Sequence, residues 1–431
     1  MTPQSNIMVV VPIAEGLEME LRQMLADMNR EPGVADPANV LVPFGKFDTL
    51  HFARFVVLED ETRGDLRTYG EPPASAAKSL AMLCDFDGSS DIFLRELIRY
   101  AEPGLRRIFS CCQSVPSTDL FAWLKAHEAR ASAAYVNWVG RTVLDVREEN
   151  ALYTALVTYL NQSLRPESSP RQIWNDLRTF VHKEQAAGRL PLTTPAPTPL
   201  VWRVKNLLHA IGIPLVLLLL SPFILLYLPI FLIQLRIHET SDPVIAPRPT
   251  VDHTHALAVL EDHNVTNQFS AYGNIKPGPF RRWTIAAVFC AIDYAARHIY
   301  NRGFLARVVT IHFARWVSLD NHKRALFASN YDGNLESYMS DFINKVGWGL
   351  NIVFSNGLGY PRTNWLICDG AKDELTFKDY LRRHQLPTQV WYNATPGITA
   401  CDMERNARIR RGLEKANISD AELAQWVRLF G

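Results

Sequence analysis

Residues 49–58 read TLHFARFVVL and residues 310–319 read TIHFARWVSL, ten positions of which seven are identical. Both stretches are rich in β-branched and aromatic residues and predict strands. Successive side chains of a strand point to opposite faces, so His51, Ala53 and Phe55 share one face and Phe52, Arg54 and Val56 the other. His312 and Arg315 divide in the same way. Working outward, Phe86-Asp87-Gly88 matches Tyr331-Asp332-Gly333, Gly104-Leu105 matches Gly349-Leu350, Phe109-Ser110 matches Phe354-Ser355, and Pro116 matches Pro361, all at one offset of 245. Leu124, His127 and Tyr135 match Leu381, His384 and Tyr392 at an offset of 257. The sequence therefore reads as a duplicated domain.

Periodicity and breakers predict strands at 7–13, 50–58, 80–86, 106–111 and 133–138 in the first copy, with helices at 16–28, 90–100 and 118–130. The second copy reads as strands at 267–275, 309–318, 324–331, 350–356 and 389–394, with helices at 279–301, 335–346 and 374–384. The core of both is βαββαβ, the ferredoxin-like order. A four-stranded sheet with helices on one face leaves the other face bare, and two copies cover it by packing together. The expected fold is α+β: two tandem ferredoxin-like domains, residues 1–140 and 241–400, forming a pseudo-dimeric α/β barrel. Residues 141–200 read as a helical and Pro-rich linker, 201–240 as a membrane hairpin, and 401–431 as a helical tail. A loop insertion at 61–78 separates the middle strands of the first copy.

The membrane assignment rests on residues 206–235, thirty residues without Asp, Glu, Lys or Arg, where roughly 20 suffice to span a bilayer. Leu217, Leu220, Phe223, Leu226 and Phe231 are its lipid-facing candidates. Pro214, Pro222 and Pro229 interrupt it, and a break at Ser221-Pro222 leaves two arms too short to cross alone. A re-entrant hairpin and a single kinked span are the two forms this permits. Arg203 and Lys205 precede the run and Arg236 follows it, which satisfies the positive-inside bias at both ends only if both are cytoplasmic. Two halves sharing a core also need to lie on one side, which favours the hairpin. The expected location is the cytoplasmic face of a bacterial inner membrane, with the lipid bilayer as partner.

Composition excludes other classes. Lys plus Arg total 45 against 44 Asp plus Glu, a net charge of +1 that supplies no field to attract nucleic acid. Six cysteines without a CxxC pair predict reduced thiols and no zinc site. No GxSxG, P-loop, GxGxxG or HExxH motif is present.

A charged Arg in an apolar strand needs a partner, and Asp87 and Asp332, ending the next strand, are its expected ion-pair partners. His, Arg and Asp then either lock the strand register in both copies or serve a substrate in one, which makes Arg315, Asp332 and His312 the catalytic candidates. Residues found on one side only point to a site in the second copy. These are His263, Asn267 and Gln268 before and in its first strand, Asn330 in place of Asp85, Asn356 in place of Cys111, and Arg362 after Pro361. With Tyr392 they suggest an amide-rich pocket for an acidic or carbonyl group on a mostly apolar ligand; turn and capping chemistry is the alternative. Arg281 and Arg282, in the first turn of a long helix, are expected to meet anionic headgroups.

The duplicated α+β unit with an Asp-Gly at the end of a central strand resembles the dimeric α/β barrel superfamily and, within it, the dye-decolorising heme peroxidases. It is also similar to bacterial membrane-associated proteins, a likeness that implies no chemistry. The peroxidases carry a GxxDG signature with a distal Asp. Here Asp332-Gly333 match its end, while Ser329 or Asn330 stands where a glycine is needed. The resemblance implies heme as a cofactor and likens Asp332 to the distal acid, but assigns no histidine as proximal ligand. The expected function is a membrane-associated protein whose barrel holds a lipophilic ligand, with peroxidase-like oxidoreductase chemistry or with non-catalytic lipid binding or scaffolding.

Overall fold

In the computed structural model, which describes residues 1–115, 118–163 and 169–430, the two HFAR stretches are inner strands of two four-stranded antiparallel sheets. Pro116 lies outside the described residues. The first half runs β1 (Gln4–Pro12), α1 (Glu18–Ala26), β2 (Leu50–Leu58), β3 (Ser79–Asp87), α2 (Ser90–Phe109), α3 (Leu120–Ala126) and β4 (Ala133–Val136). Helices α4 (Val143–Ser163) and α5 (Pro170–Ala186) lead to the long apolar helix α6 (Leu200–Ser241). The second half runs β5 (Thr266–Asn274), α7 (Pro279–His298), β6 (Ile311–Leu319), β7 (Arg324–Asp332), α8 (Leu335–Phe354), α9 (Glu374–His384) and β8 (Thr388–Asn393). Helices α10 (Ala400–Glu414) and α11 (Asp420–Val427) follow and pack on α4 and α5 through Leu152, Trp174, Leu177, Ile409 and Trp426. The fold class is α+β.

Sheet order is β1-β3-β2-β8 in one sheet and β4-β6-β7-β5 in the other. Each sheet thus takes its fourth strand from the opposite half, and the registers agree. Tyr392 faces Ala53 and Trp391 faces Arg54, while Tyr135 faces Ala314 and Ala134 faces Arg315. Just before these exchanged strands the chain bridges to the other sheet, at Val9–Glu128 and Ala271–Gln385, so the sheets are joined at both edges. Met8, Val56, Leu83, Val317, Leu326 and Ala328 pack between them. Strand alternation delivers the opposite faces to two helical layers. Gly88 and Gly333, at φ +86° and +87°, turn the chain out of β3 and β7 in a conformation that L side chains rarely adopt.

Two expected strands are helix instead. Residues 106–111 and 350–356 fall largely in the last turns of α2 and α8, each 20 residues long. Leu97, Ala101, Leu105, Ile108 and Phe109 hold one buried stripe at helical spacing through Pro103. The proline does not end the helix.

The expected break at Ser221-Pro222 is also absent, which corrects the hairpin. α6 is one helix of 42 residues with all three prolines inside. A helical proline removes one N–H and leaves the carbonyl four residues back without its donor. The carbonyl behind Pro214 is that of Ala210, which accepts from Tyr294 Oη at 3.2 Å. The one behind Pro222 is that of Leu218, which accepts from Ser221 Oγ at 2.7 Å. Those two prolines therefore leave no carbonyl bare, and the apolar run stays helical.

Both ends of α6 are fixed to the same body. Near its start, His209 Nδ1 lies 2.8 Å from His298 Nε2 on α7. Near its end, Phe231 and His238 stack on Phe280, and buried Glu239 accepts from Thr363 Oγ1, Trp365 N and Leu366 N. The two helices run antiparallel. Between these anchors α6 covers about 32 Å from Ala210 to Phe231, and its middle turns are largely exposed. There Leu217, Leu220, Phe223 and Leu226 are all exposed, while Phe231 is half-buried against Phe280. By length and composition α6 could cross a membrane, and none of its most apolar window is buried in the protein. Both of its ends are attached to the one body.

Candidate functional site

Three groupings could carry function, and two are internally satisfied. Between the sheets, Arg315 donates to Ile7 O at 2.8 Å and Cys84 O at 3.0 Å and pairs with Asp85. Arg54 answers it from the other sheet, donating to Phe269 O at 2.9 Å, Ser270 Oγ at 2.9 Å and Ser329 O at 3.0 Å, and bonding Asn330 Oδ1. Asn330 Nδ2 donates to Asp85 Oδ2 at 3.2 Å and closes the chain. The expected pairing of these arginines with Asp87 and Asp332 is thus incorrect. The guanidinium reaches across to the facing sheet, where it meets carbonyls of the adjacent strands β1 and β3. Burial lowers the Arg54 pKa to about 9, as one carboxylate serves two buried guanidinium groups.

Asp87 and Asp332 take the histidines instead. His51 Nε2 lies 2.9 Å from Asp87 Oδ1 and His312 Nε2 lies 2.7 Å from Asp332 Oδ1. The second oxygen of each accepts a backbone N–H at the start of a helix, Val143 N for α4 and Ala400 N for α10, where an anion is favourable. Asp332 Oδ1 also accepts from Thr266 Oγ1 at 2.9 Å. Phe52, Phe313 and Trp391 fill the space between the two histidines. The three catalytic candidates do not converge: Arg315 faces the sheet interior, whereas His312 and Asp332 tie β6 and β7 to α10.

Nor do the ligand-binding candidates share a pocket. His263 Nε2 lies 2.7 Å from Val259 O; Asn267 donates to Asn264 O and Gly333 O; Gln268 donates to Leu260 O. Asn330 belongs to the arginine chain, Arg362 donates to Asp242 O at 3.0 Å, and Tyr392 stacks on Phe44 in the first half. Asn356 lies beside Arg281, at 3.5 Å from its Nη1, with its own Nδ2 unpartnered. Arg281 is not at a headgroup-facing surface as expected: it is buried and paired with Asp242 at 2.5 Å. Trp283, two residues on, is the exposed side chain there.

The third grouping is a cavity of about 300 Å³ between α7, α8 and the β5-β7-β6 face. Val288, Ile292 and Ala295 line it from α7, Phe342, Val346 and Trp348 from α8, and Phe269, Trp316 and Phe327 from the sheet. Its wall is almost wholly apolar, and its size suits a small lipophile. Helix α8 departs from helical geometry at Val346, with φ −143° and ψ 24°, where it borders the void. Ile299 and Trp348 form an exposed apolar rim, and Ile299 directly follows the histidine that binds α6. In sequence the lining is indistinguishable from core. The one available signal was Trp348, large and exposed, at the position matched by Pro103.

The cavity does not suit heme. No His or Cys lines it to supply an axial ligand, and no cation lines it to hold propionates. Among the described residues no group of three His, Cys, Asp or Glu is placed to hold a metal ion. Both oxygens of Asp332 are engaged, which leaves it no part as a distal acid. No protein-family model, curated protein or solved structure matches this chain.

Proposed function

We propose that this is a monotopic membrane protein that holds a lipophilic molecule in the cavity beside α7, without chemistry of its own. The observation that carries the reading is the void itself: about 300 Å³, apolar on nearly every side, and opening next to the helix on which α6 rests. An apolar void loses contacts on every wall, and its lining gains them back when a lipophile enters. Helix α6, apolar all round and tied to the body at both ends, would lie along the membrane with its middle turns in the hydrocarbon. Exposed Trp283, Trp348 and Trp365 suit the interface, and Arg203, Lys205 and Arg236 would place the body on the cytoplasmic face. The non-catalytic reading is favoured because His–Asp and arginine groupings occur in both halves with their polar atoms satisfied. The exchanged strands and shared registers support a duplicated βαββαβ unit closing into a pseudo-dimeric α/β barrel, with domains near 1–140 and 241–400.

Liposome flotation with Nile red as a neutral lipophile tests this. The full chain should float with phosphatidylcholine vesicles, and replacing Leu217, Leu220, Phe223 and Leu226 by Ser should leave it at the bottom of the gradient. Ala295→Phe, which fills the cavity, should abolish saturable Nile red binding without altering flotation. Equal dye binding by wild type and Ala295→Phe would refute the cavity as the site.

A further inference from the structure

The cavity does not end at its apolar walls. A second void of about 50 Å³ adjoins it along α7 and shares Trp316, Phe327, Val353 and Phe354 with it. Ile275, Ile285, Phe289 and Gly357 continue its wall toward the first turn of α7. Beyond Phe354 the chain turns polar at once, with Ser355 and Asn356, and Lys276 N donates to Asn356 O at 2.8 Å. The two voids thus line up as a largely apolar channel beside α7, and Lys276, Ser355 and Asn356, the chain neighbours of the wall residues Ile275, Phe354 and Gly357, mark its polar end, with Arg281 beside Asn356.

That end is short of negative charge. Lys276 Nζ and Arg281 Nη2 both bond the single carboxylate oxygen Asp242 Oδ2, at 3.1 and 2.5 Å. Glu239, the nearest other acid, is taken up by Arg236, Thr363 and two backbone N–H groups. Burial, followed by repulsion from Arg281, pulls the Lys276 ammonium down to about 8. Three polar atoms there have no partner: Arg281 Nε, Asn356 Nδ2 and Ser355 Oγ. Their residues are 2%, 0% and 1% exposed. Buried polar groups are almost always satisfied in native proteins, and three unpartnered ones beside two cations that share one carboxylate oxygen, at the first turn of a helix, suit an anionic group.

We propose that the ligand of this channel is a single-chain amphiphile with an anionic head, its chain in the voids along α7 and its head on Arg281 Nε, Asn356 Nδ2 and Ser355 Oγ. The inference deepens the lipophile reading above and rests on it. The residues along α7 that line the two voids, Ile285 to Ile299, cover about 21 Å, more than the ~15 Å of hydrocarbon in one leaflet, and the acyl chain lies along them. The head enters where α6 ends, beside Asp242.

Photocrosslinking separates the two claims. The full chain in nanodiscs of phosphatidylcholine is labelled with palmitate carrying a mid-chain diazirine, or with the corresponding alcohol, and labelled peptides are mapped by mass spectrometry. Palmitate should label the 285–299 and 342–354 segments about tenfold more efficiently than the alcohol, the ratio expected for hydrogen bonds to a charged head. Asn356→Leu and Arg281→Lys should each cut palmitate labelling several-fold and leave alcohol labelling unchanged, which also reports that the fold is intact. Equal labelling by acid and alcohol in wild type would overturn the anionic head while leaving the lipophile cavity standing. Absence of both labels from these segments would overturn the cavity reading itself.

Discussion

The two halves place matching helices over matching sheets, yet one layer is full and the other hollow. In the first half, Phe93, Leu94, Leu97, Leu105 and Ile108 of α2 are all buried, and Val42, Phe44 and Phe47 from the segment between α1 and β2 close over them. In the second half the segment between α7 and β6 is shorter, and Tyr300, Leu305 and Ala306 from it are only partly buried at the cavity wall. Phe342, Ile343, Val353 and Phe354 of α8 are only partly buried, and the space is the cavity. The matched glycines record the difference. A Cβ on Gly104 would lie 1.9 Å from Leu41 O, whereas one on Gly349 would meet only Val346 Cγ1 at 3.0 Å. Two similar sheet-and-helix layers can thus differ in packing through the length of one covering segment.

Substitutions made in pairs across the halves put this contrast at risk. The largest effect should come from Phe44→Ala, which opens a hole in a closed layer and should cost about 3–5 kcal/mol. Phe342→Ala widens an existing void and should cost about 1 kcal/mol or less; equal losses in chemical denaturation would erase the distinction. Arg315→Met should cost about 3–5 kcal/mol by stranding Asp85, and Arg54→Met about 1–3 kcal/mol, since its partners are neutral. The reverse order would mean that the central polar chain is misassigned.

Gly104→Ala should lose about 3 kcal/mol or more, because the backbone of Leu41 must move. Gly349→Ala should fall within about 1 kcal/mol of wild type, the helix propensity gain offsetting contact with Val346. The one pH-dependent effect concerns Glu149 on α4, which occupies the position matched by Asn406 on α10. Burial raises its pKa to about 7, above the unfolded value near 4.5. An acid raised in this way favours the fold while protonated, so its contribution is complete below pH 4.5 and lost as pH climbs through 7. Glu149→Gln should therefore gain up to about 3 kcal/mol on wild type between pH 4.5 and pH 8. An unchanged difference across that range would place Glu149 in solvent.

Much of the frame was legible in the sequence. The HFAR repeat and the Asp-Gly pairs located both inner hairpins, and alternation put Arg54 and Arg315 on the face that packs between the sheets. What alternation cannot say is which sheet a strand joins. Tyr135 and Tyr392 have the same local neighbours whether their strands stay at home or cross over, so the exchange was invisible. The break expected at Ser221-Pro222 does not occur, because Ser221 Oγ satisfies Leu218 O, and the carbonyl behind Pro214 is satisfied by Tyr294 from another element, a donor that local sequence does not reveal. The site was the least legible part. Apolar residues around a void have the pattern of apolar residues in a core, and the polar residues that differed between copies turned out to serve turns, strand ends and, for Asn330, the arginine chain between the sheets, Asn356 excepted.

If the second half holds a lipophile where the first half holds its own side chains, that lipophile should stay with the chain. The most direct measurement is the amount of lipophile retained by the full chain after extraction from membranes, determined by organic extraction and mass spectrometry. About one molecule per chain is expected in wild type, unchanged in Glu149→Gln, and almost none in Ala295→Phe. Retention that is equally high in Ala295→Phe, or absent from all three proteins, would contradict it.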